Sequence, residues 1–273
     1  MGDASQLQKN IDNWRTVADE NVALLRSLTP DDWTKSTDLP GWNVRCVAAH
    51  MAHLESHLAG NPQVEVDVPE APHIKGPMSV YTESGPLARA DWTADEIIDE
   101  FETSVAARHE ALLAMMPLDP TAPGDGIAQI TGWNWETLLG NRVFDLWMHE
   151  QDIRRAVDRP GGLDGAGGAH ALRHLAGALP FVVGKRVGAP TGTSVVVDVT
   201  GEQSATFTAA VGEDGRAKPL AEAPVDPTAR ISMDFETFIV LLGGRRTPDQ
   251  VSVKVEGDVA LAKAVLANLA VTP

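Results

Sequence analysis

Three side chains in this sequence have the types and spacing expected of ligands for one metal ion. Asp145 and His149 are four residues apart, so on a helix both side chains point from the same face, one turn apart. A divalent ion bound by nitrogen and oxygen needs at least a third protein ligand, and His50 is the natural candidate if its helix faces that of Asp145. Three protein ligands leave a coordination position open, which is the arrangement of a catalytic zinc site.

The same residues also fit a simpler interpretation. Arg142, Asp145, His149 and Asp152 form a polar stripe, which composition alone would place on the solvated side of an amphipathic helix. Within that stripe Arg142 and Asp145 would pair three residues apart. On spacing alone, metal binding and a solvated helix face therefore both stay open.

Other side chains close to His50 could also carry chemistry. His50, His53 and His57 share one flank of a predicted helix, and we interpret His53 and His57 as partly exposed imidazoles at the mouth of a helical bundle. Cys46 lies one turn before His50, so a cysteine–histidine nucleophilic pair is conceivable. A lone cysteine on a helix is more often a small buried hydrophobe.

Two further groups have the chemistry of substrate-binding residues. Trp133 stands beside Asn134 where a predicted loop meets a helix, and an indole in that place could stack on a sugar or close a pocket. Arg245 and Arg246 follow a Gly-Gly pair and could receive a substrate carboxylate through two parallel hydrogen bonds. Exposed arginines near a helix end are also common without any such role.

Hydrophobic periodicity predicts the helices that must position these residues. Apolar residues recur at helical spacing from Leu7 to Leu28, from about Asn43 to Leu58, from a capping box at Thr93 and Glu96 to Pro117, and from about Trp135 to Pro160. Four such helices suggest an antiparallel bundle. The proline-rich stretch from Asn61 to Pro86 lacks clear periodicity and is predicted to be a long connection.

The pattern changes in the last third of the chain. Beyond residue 190 the apolar period shortens from that of a helix to that of a strand, and the β-branched runs Thr193 to Thr200 and Ala205 to Val211 predict a hairpin. We therefore predict a helical domain of residues 1–165, a connecting helix and linker of residues 166–189, and a small α+β domain of residues 190–273.

Composition excludes several classes of protein. The chain has 38 acidic and 22 basic residues and a net charge of −16, so its surface repels nucleic-acid phosphates and anionic lipids. Its apolar runs are shorter than the ~18 residues of a membrane helix, and its start lacks the apolar segment of a signal peptide. The single cysteine allows no internal disulfide. We expect a soluble, cytoplasmic monomer or homodimer with neither a nucleic-acid nor a membrane partner.

Several segments resemble a known family. Leu39 to His50 reads LPGWNVRCVAAH and resembles the PGW(S/T)V…AH motif of the DinB-like metalloenzyme superfamily. Phe144 to Ala156 is similar to the second motif of its mycothiol-dependent maleylpyruvate isomerase branch. Gly243 to Arg246 and Val255 to Ala262 are similar to the C-terminal domain of that branch. The likeness thus touches both predicted domains.

The resemblance implies a fold and a ligand set. The fold is a DinB-like antiparallel four-helix bundle followed by a small sterol-carrier-like α+β domain. The ligand set, carried over position by position, is His50, Asp145 and His149 around a divalent metal ion, usually zinc. The family pattern has glutamate at position 145, and aspartate is one methylene shorter, so the helix must approach the ion more closely or the ion must shift.

The resemblance also implies an enzyme whose partners are mycothiol, the sugar-linked thiol of actinobacteria, and a small electrophile. The metal would hold the thiol as a thiolate, which attacks an electrophilic carbon. Release of the thiol then gives isomerisation, and its retention gives S-transfer. Mycothiol is rich in hydroxyl groups, so we expect Trp133, Asn134 and Asp152 to bind it. We expect Arg245 or Arg246 to bind the carboxylate of an acidic substrate.

Two other functions fit the same sequence. One is a non-enzymatic binding or regulatory protein, in which the metal site is vestigial and the small domain holds an apolar ligand. The other is a hydrolase, since an open zinc site lowers the pKa of bound water to about 7. Metal content separates the enzyme from the binding protein, and dependence on thiol separates it from the hydrolase.

Overall fold

The fold was derived from a computed structural model that describes residues 4–71 and 74–272. The described chain divides after Gly161 into two compact units. The first is helical and the second is built on a small sheet, which confirms the predicted order of a helical region followed by an α+β region. None of the helices in these residues is both long and apolar enough to cross a lipid bilayer.

Long helices make up most of the N-terminal unit. They are α1 (Ala4–Arg26), α2 (Val44–Leu58), α3 (Pro77–Ala88), α4 (Ala94–Met115), the single turn α5 (Ala128–Thr131) and α6 (Trp135–Val157). Helix α1 packs against α4 and α6, while α2 packs against α3, α4 and α6. The long helices thus share one core, and α2 and α6, which carry the predicted ligands, are neighbours.

The apolar stripe of α1 is buried as its spacing predicts. Its fully buried members are Leu7, Ile11, Trp14, Ala18 and Leu25. The one polar residue in this stripe, Asn21, is also buried, and its amide nitrogen donates to the Leu146 carbonyl of α6 at 3.2 Å. The stripe therefore joins α1 to the helix that carries Asp145 and His149.

Helix α6 is buried on its polar side as well as on its apolar side. The side chains of the polar stripe have exposed fractions of 2% for Arg142, 24% for Asp145, 9% for His149 and 0% for Asp152. Charged residues are almost never buried to this extent unless they are paired or bind a metal. The interpretation of this stripe as a solvated helix face is therefore wrong.

Helix α3 is a feature that the sequence analysis missed. The stretch from Asn61 to Pro86 was expected to be a connection, yet residues Pro77–Ala88 are helical. Proline stands at the first position of this helix, where its missing N–H costs nothing, and the Ser79 hydroxyl accepts from the Gly76 backbone N–H at 3.1 Å. Gly85 allows α3 to lie close to α2, since a Cβ at this position would approach the Cβ of His53 to 2.8 Å.

Helix α4 begins at the predicted capping box. The Thr93 hydroxyl accepts from the Glu96 N–H at 3.2 Å, and the Glu96 carboxylate accepts from the Thr93 N–H at 2.7 Å. Two backbone donors that the helix itself cannot satisfy are thereby paired. This local signal places the start of α4 correctly.

The C-terminal unit combines helices with a mixed sheet. In chain order it contains α7 (Ala166–Ala176), α8 (Leu179–Phe181), β1 (Ser194–Thr200), β2 (Ala205–Val211), β3 (Ala217–Lys218), β4 (Ala229–Asp234), α9 (Phe235–Leu242), β5 (Lys254–Gly257) and α10 (Val259–Ala267). The strand order is β3-β2-β1-β4-β5, with β1 and β4 parallel and the other pairs antiparallel. Strands β1 and β2 form the predicted hairpin.

Candidate metal centre

Helix α2 brings His50 into the core beside a tryptophan. Asn43 caps the helix, accepting from the Cys46 N–H at 3.0 Å through its side-chain oxygen. The Trp42 ring lies just before this cap and contacts the His50 ring, with 5.3 Å between their centroids. It also lies 6.4 Å from the ring of His149. The indole therefore covers both imidazoles from one side.

Potential ligand atoms of His50, Asp145 and His149 converge on one point. One atom from each residue lies within 4.8 Å of the other two. His50 Nε2 is 3.9 Å from one Asp145 carboxylate oxygen, and His149 Nε2 is 3.7 Å from the other. These separations are too long for hydrogen bonds, but they are close to the ~3.4 Å between ligands bonded at about 2.1 Å to a tetrahedral ion.

Asp152 fixes the orientation of the His149 ring. Its Oδ2 is 3.1 Å from His149 Nδ1, and its Oδ1 accepts from Arg155 at 2.6 Å. Arg155 in turn donates to Asp38 at 2.8 Å. A carboxylate on Nδ1 favours the tautomer that carries its proton there, which leaves Nε2 with a free lone pair directed toward Asp145. The contact is the one that metal-binding histidines make with a neighbouring carboxylate.

A chain of buried polar groups holds Asp145 from the other side. The Arg142 guanidinium donates to Asp145 Oδ2 at 3.0 Å, as their spacing predicts, and to Glu55 Oε1 at 2.8 Å. Glu55 Oε1 also accepts from the Trp14 indole at 3.2 Å. Glu55 and Trp14 come from two other helices, so α1, α2 and α6 together fix this carboxylate.

The electrostatics keep both kinds of ligand in the form that binds a cation. Burial is the main cause that lowers the pKa of His50 to about 3, with the His149 ring acting in the same direction, so the imidazole is neutral near pH 7. Burial alone would raise the pKa of the Asp145 carboxyl, but Arg142 and the two imidazoles hold it well below its usual value. A neutral imidazole and an ionised carboxylate are the states that a metal requires.

The residues present fit a divalent cation. The Nδ1 atom of His50 is buried without a hydrogen-bond partner in the described part of the chain, and its Nε2 lies beyond hydrogen-bond distance of Asp145. A buried imidazole without hydrogen bonds is costly, and an ion bound through Nε2 would compensate that cost. The donor set of two nitrogens and one carboxylate also suits a borderline ion such as Zn²⁺.

Replacing Asp152 by asparagine should weaken metal binding without unfolding the protein. Asparagine preserves the shape but removes the negative charge that faces His149 Nδ1 and Arg155. We expect zinc affinity to fall by about 10–100-fold, measured by competition with a chromophoric chelator. The matched control is Asp91→Asn at an exposed position, which should leave the affinity unchanged. Equal affinities for wild type and Asp152→Asn would contradict the orienting role.

The other predicted binding residues are not all brought to this cluster. Asp145 follows the cap residue Asn134 by eleven positions, which is about 16 Å along the axis of α6. The Asn134 side chain caps α6 by accepting from the Thr137 N–H at 2.8 Å. Trp133 is half-buried beside it. Asp152 is fully buried and its carboxylate lies against His149, while its expected contact with the thiol stays a prediction.

Arg245 and Arg246 belong to the C-terminal unit. They follow α9, and the Arg245 guanidinium donates to the Gly243 carbonyl at 2.6 Å and to the Thr272 hydroxyl at 3.3 Å. These bonds attach the turn after α9 to the end of the chain. Their expected contact with an acidic substrate stays a prediction.

Sequence reasoning missed the groups that α3 places against α2. The Tyr81 hydroxyl lies 2.7 Å from His57 Nδ1, and Glu83 accepts from the Trp42 indole at 2.9 Å. His53 is buried, with Arg89 Nη1 3.3 Å from its Nδ1, so it is not the partly exposed imidazole that was expected. The signals that could have revealed α3 were Pro77 followed by a capping serine.

The fold and the candidate site together define a class of protein. A helical unit gathers two buried histidines and a partly exposed aspartate around one point, and a small mixed-sheet unit follows it. The sequence matches the family model described as the mycothiol maleylpyruvate isomerase N-terminal domain over residues 14–154, and the model for the C-terminal domain of the same family over residues 169–264. The chain belongs to the mycothiol-dependent maleylpyruvate isomerase family.

Solved structures give the same picture of the fold. A crystal structure of the mycothiol-dependent maleylpyruvate isomerase matches with a TM-score of 0.55 and 17% sequence identity, covering 95% of this chain and 98% of that one. A mutant of that enzyme with a histidine replaced by alanine matches with a TM-score of 0.52, at the same identity and coverage. Comparison with curated protein sequences finds no match.

Proposed function

We propose that this protein is an enzyme that uses mycothiol as a cosubstrate and a divalent metal ion, zinc, to act on a small electrophile. The observation that carries the proposal is the convergence of His50, Asp145 and His149 in a chain that matches both domains of a mycothiol-dependent family. The reaction is an isomerisation or an S-transfer. We further propose a cytoplasmic location, in keeping with a low-molecular-weight thiol as partner.

The three side chains would act as the metal ligands. A divalent ion held there would supply positive charge that lowers the pKa of a thiol, so that the thiolate would prevail at neutral pH. The aspartate at position 145 is shorter than the glutamate of the family pattern. Its Oδ2 accepts a hydrogen bond from the Arg142 guanidinium at 3.0 Å, which restricts the movement of the carboxylate. The ligand set is thus held rigidly before any substrate arrives.

The surrounding residues would orient the ligands and exclude water. Asp152 holds the His149 ring in one tautomer, and Arg142 with Glu55 holds the Asp145 carboxylate. The Trp42 indole covers both imidazoles. A drier site strengthens the attraction between a cation and a thiolate, because water screens charges strongly.

The fold of each unit would also be that of the family. We propose that α1, α2, α4 and α6 form the DinB-like four-helix bundle and that the sheet unit is the sterol-carrier-like domain. We propose residues 1–165 and 190–273 as the two family domains and residues 166–189 as their connection; by its contacts this connection belongs to the second compact unit, which begins at Gly162. Trp133, Asn134 and Asp152 as mycothiol contacts, and Arg245 and Arg246 as substrate contacts, stay predictions.

The test is dependence of turnover on thiol and on metal. Zinc-loaded protein is given maleylpyruvate with and without mycothiol, and the products are separated by chromatography and mass spectrometry. We expect turnover only with thiol present, loss of activity after chelation, and recovery when zinc is added back. The trans isomer of the substrate indicates an isomerase, and a covalent thiol adduct indicates an S-transferase.

Two outcomes would contradict the proposal. Turnover of an electrophile without any thiol would favour the hydrolase. Protein that neither retains added zinc nor turns over maleylpyruvate or a panel of other activated alkenes would favour the non-enzymatic binding protein.

A further inference from the structure

A tyrosine of α3 and a histidine of α2 form a hydrogen-bonded pair outside the candidate metal site of His50, Asp145 and His149. The Tyr81 hydroxyl lies 2.7 Å from His57 Nδ1. The Tyr81 ring packs against two imidazoles of α2, with centroid distances of 4.9 Å to His53 and 5.6 Å to His57. The ring is thus held in one place, and its hydroxyl has a fixed partner.

The histidine of this pair belongs to the row His50, His53 and His57 on α2, which begins at the candidate metal site. His57 follows His50 by seven residues, which is two helical turns or about 10 Å along the same flank of α2. The same helix α3 is tied to the cluster by Glu83, which accepts from the Trp42 indole that covers His50. A small substrate attacked at the cluster could therefore extend toward the Tyr81 hydroxyl.

The charges of the cluster act on this hydroxyl. Burial is the main cause that raises the pKa of Tyr81 far above its usual value, and Arg142, Glu55 and Asp145 are among the groups whose charges contribute. The phenol therefore keeps its proton at neutral pH and is a hydrogen-bond donor.

His57 can direct the phenolic proton. Burial lowers the pKa of His57, with Asp125 opposing it, so the imidazole is neutral near pH 7. A neutral imidazole that carries its proton on Nδ1 donates to the Tyr81 oxygen, and the phenolic O–H then points to another acceptor. Donation from the imidazole also makes the phenol a stronger donor, because hydrogen bonds in a chain polarise one another.

We propose that Tyr81 is a catalytic residue, which donates a hydrogen bond to the carbonyl oxygen of an α,β-unsaturated substrate, and that His57 positions it. This inference rests on the proposed function. When the thiolate sulfur bonds to the β-carbon, the alkene π-electron pair moves toward the carbonyl oxygen, where negative charge develops. Tyr81 stabilises that charge without giving up its proton. In isomerisation the pair returns after rotation, and the carbon–sulfur bond breaks.

Other polar groups on this side of α2 are occupied within the protein. Arg89 donates to Glu100 at 2.6 Å and also lies against His53, and Glu83 is bonded to Trp42. The Tyr81 hydroxyl differs from them because its one hydrogen-bond partner among the described residues is a neutral ring that can act as a donor. It is thus the group best suited to contact a substrate oxygen.

The kinetic test compares Tyr81→Phe with a matched hydroxyl deletion on the same helix. Tyr81→Phe keeps the ring that packs on His53 and His57 and removes only the oxygen. We expect its kcat to fall by about 10²-fold, the usual effect of deleting one donor to a developing oxyanion, with zinc content and the KM for mycothiol unchanged. The control is Thr82→Ala, whose hydroxyl donates to the Met78 carbonyl, and it should retain wild-type kcat.

The positioning role of His57 is tested by rescue. His57→Asn keeps a donor near the position of Nδ1 and should retain much of the activity, whereas His57→Leu should lose nearly as much kcat as Tyr81→Phe. The double variant His57→Leu/Tyr81→Phe should be no slower than Tyr81→Phe alone, because both changes remove one interaction. Fully additive losses would contradict the positioning role.

A spectroscopic readout reports on the hydroxyl without relying on turnover. Tyr81 is the only tyrosine among the 273 residues, so protein labelled with ¹³C at the tyrosine Cζ gives a single resonance. A saturated ketone analogue has no alkene for the thiolate to add to, and its binding to the zinc- and mycothiol-loaded protein should shift this resonance. The inference is overturned if the analogue binds, as measured by calorimetry, and the resonance does not move.

Failure of this inference can be told from failure of the proposed function. If wild type turns over with thiol and Tyr81→Phe is equally active, Tyr81 is not catalytic while the proposed function stands. A rise in the KM for mycothiol alone, with kcat unchanged, would make Tyr81 a thiol contact and would also overturn the inference. If wild type shows no thiol-dependent turnover, both fall together.

Discussion

Replacing His149 with alanine is expected to abolish metal binding and, with it, all thiol-dependent turnover. Wild-type protein should bind about one equivalent of zinc, as expected of a single tetrahedral site. His149 Nε2 is 3.7 Å from the Asp145 carboxylate, and its ring is fixed by Asp152, so no other described side chain can take its place without rearrangement. The measurement is zinc per chain by mass spectrometry after dialysis.

The loss should be specific to the cluster. His50→Ala should behave in the same way, because it removes the ligand that α2 contributes. His174→Ala, in α7 of the C-terminal unit, is the matched control and should keep a full equivalent of zinc. A His149→Ala protein that still binds one zinc ion with wild-type affinity would show that the ion lies elsewhere.

Replacing Arg142 with methionine should strongly destabilise the helical unit. The guanidinium is buried between Glu55, whose side chain is 0% exposed, and Asp145. Methionine fills a similar volume but leaves the Glu55 carboxylate buried without its cation. Breaking a buried ion pair in this way costs about 3–5 kcal/mol, which should lower the Tm of the metal-free protein by roughly 10 °C.

The double variant distinguishes a buried charge from lost packing. Glu55→Met/Arg142→Met removes both charges, so it should be more stable than Arg142→Met alone, although Trp14 loses its acceptor. Arg26→Ala is the control, since Arg26 also contacts two carboxylates but is exposed and should change the Tm little. A double variant less stable than either single one would contradict this account.

The sequence predicted those features that depend on local spacing. The capping box at Thr93 and Glu96 places the start of α4 because both of its hydrogen bonds join residues three apart. The spacing of Asp145 and His149 puts them on one face of α6 for the same reason. Spacing could not show whether that face is solvated, since its burial depends on packing against α1 and α2.

Features that depend on distant parts of the chain were missed. Glu55 and Arg142 are 87 residues apart, so no local pattern connects them. Helix α3 has prolines near both of its ends, which obscures its helical pattern. It contacts α2 through Gly85 and Tyr81, and hydrophobic periodicity does not detect contacts made by these residue types. Spacing also could not show that Asp152 is fully buried with its carboxylate against His149.

The most direct test of the central claim is X-ray absorption at the zinc edge of the loaded protein, recorded with and without mycothiol. The predicted spectrum without thiol has two imidazole nitrogens and a carboxylate oxygen at about 2.0–2.2 Å, and addition of mycothiol should bring in one sulfur at about 2.3 Å. His50→Ala should lose one imidazole from that set or lose the ion. A zinc environment without histidine, or one into which no sulfur enters when mycothiol is bound, would contradict the account.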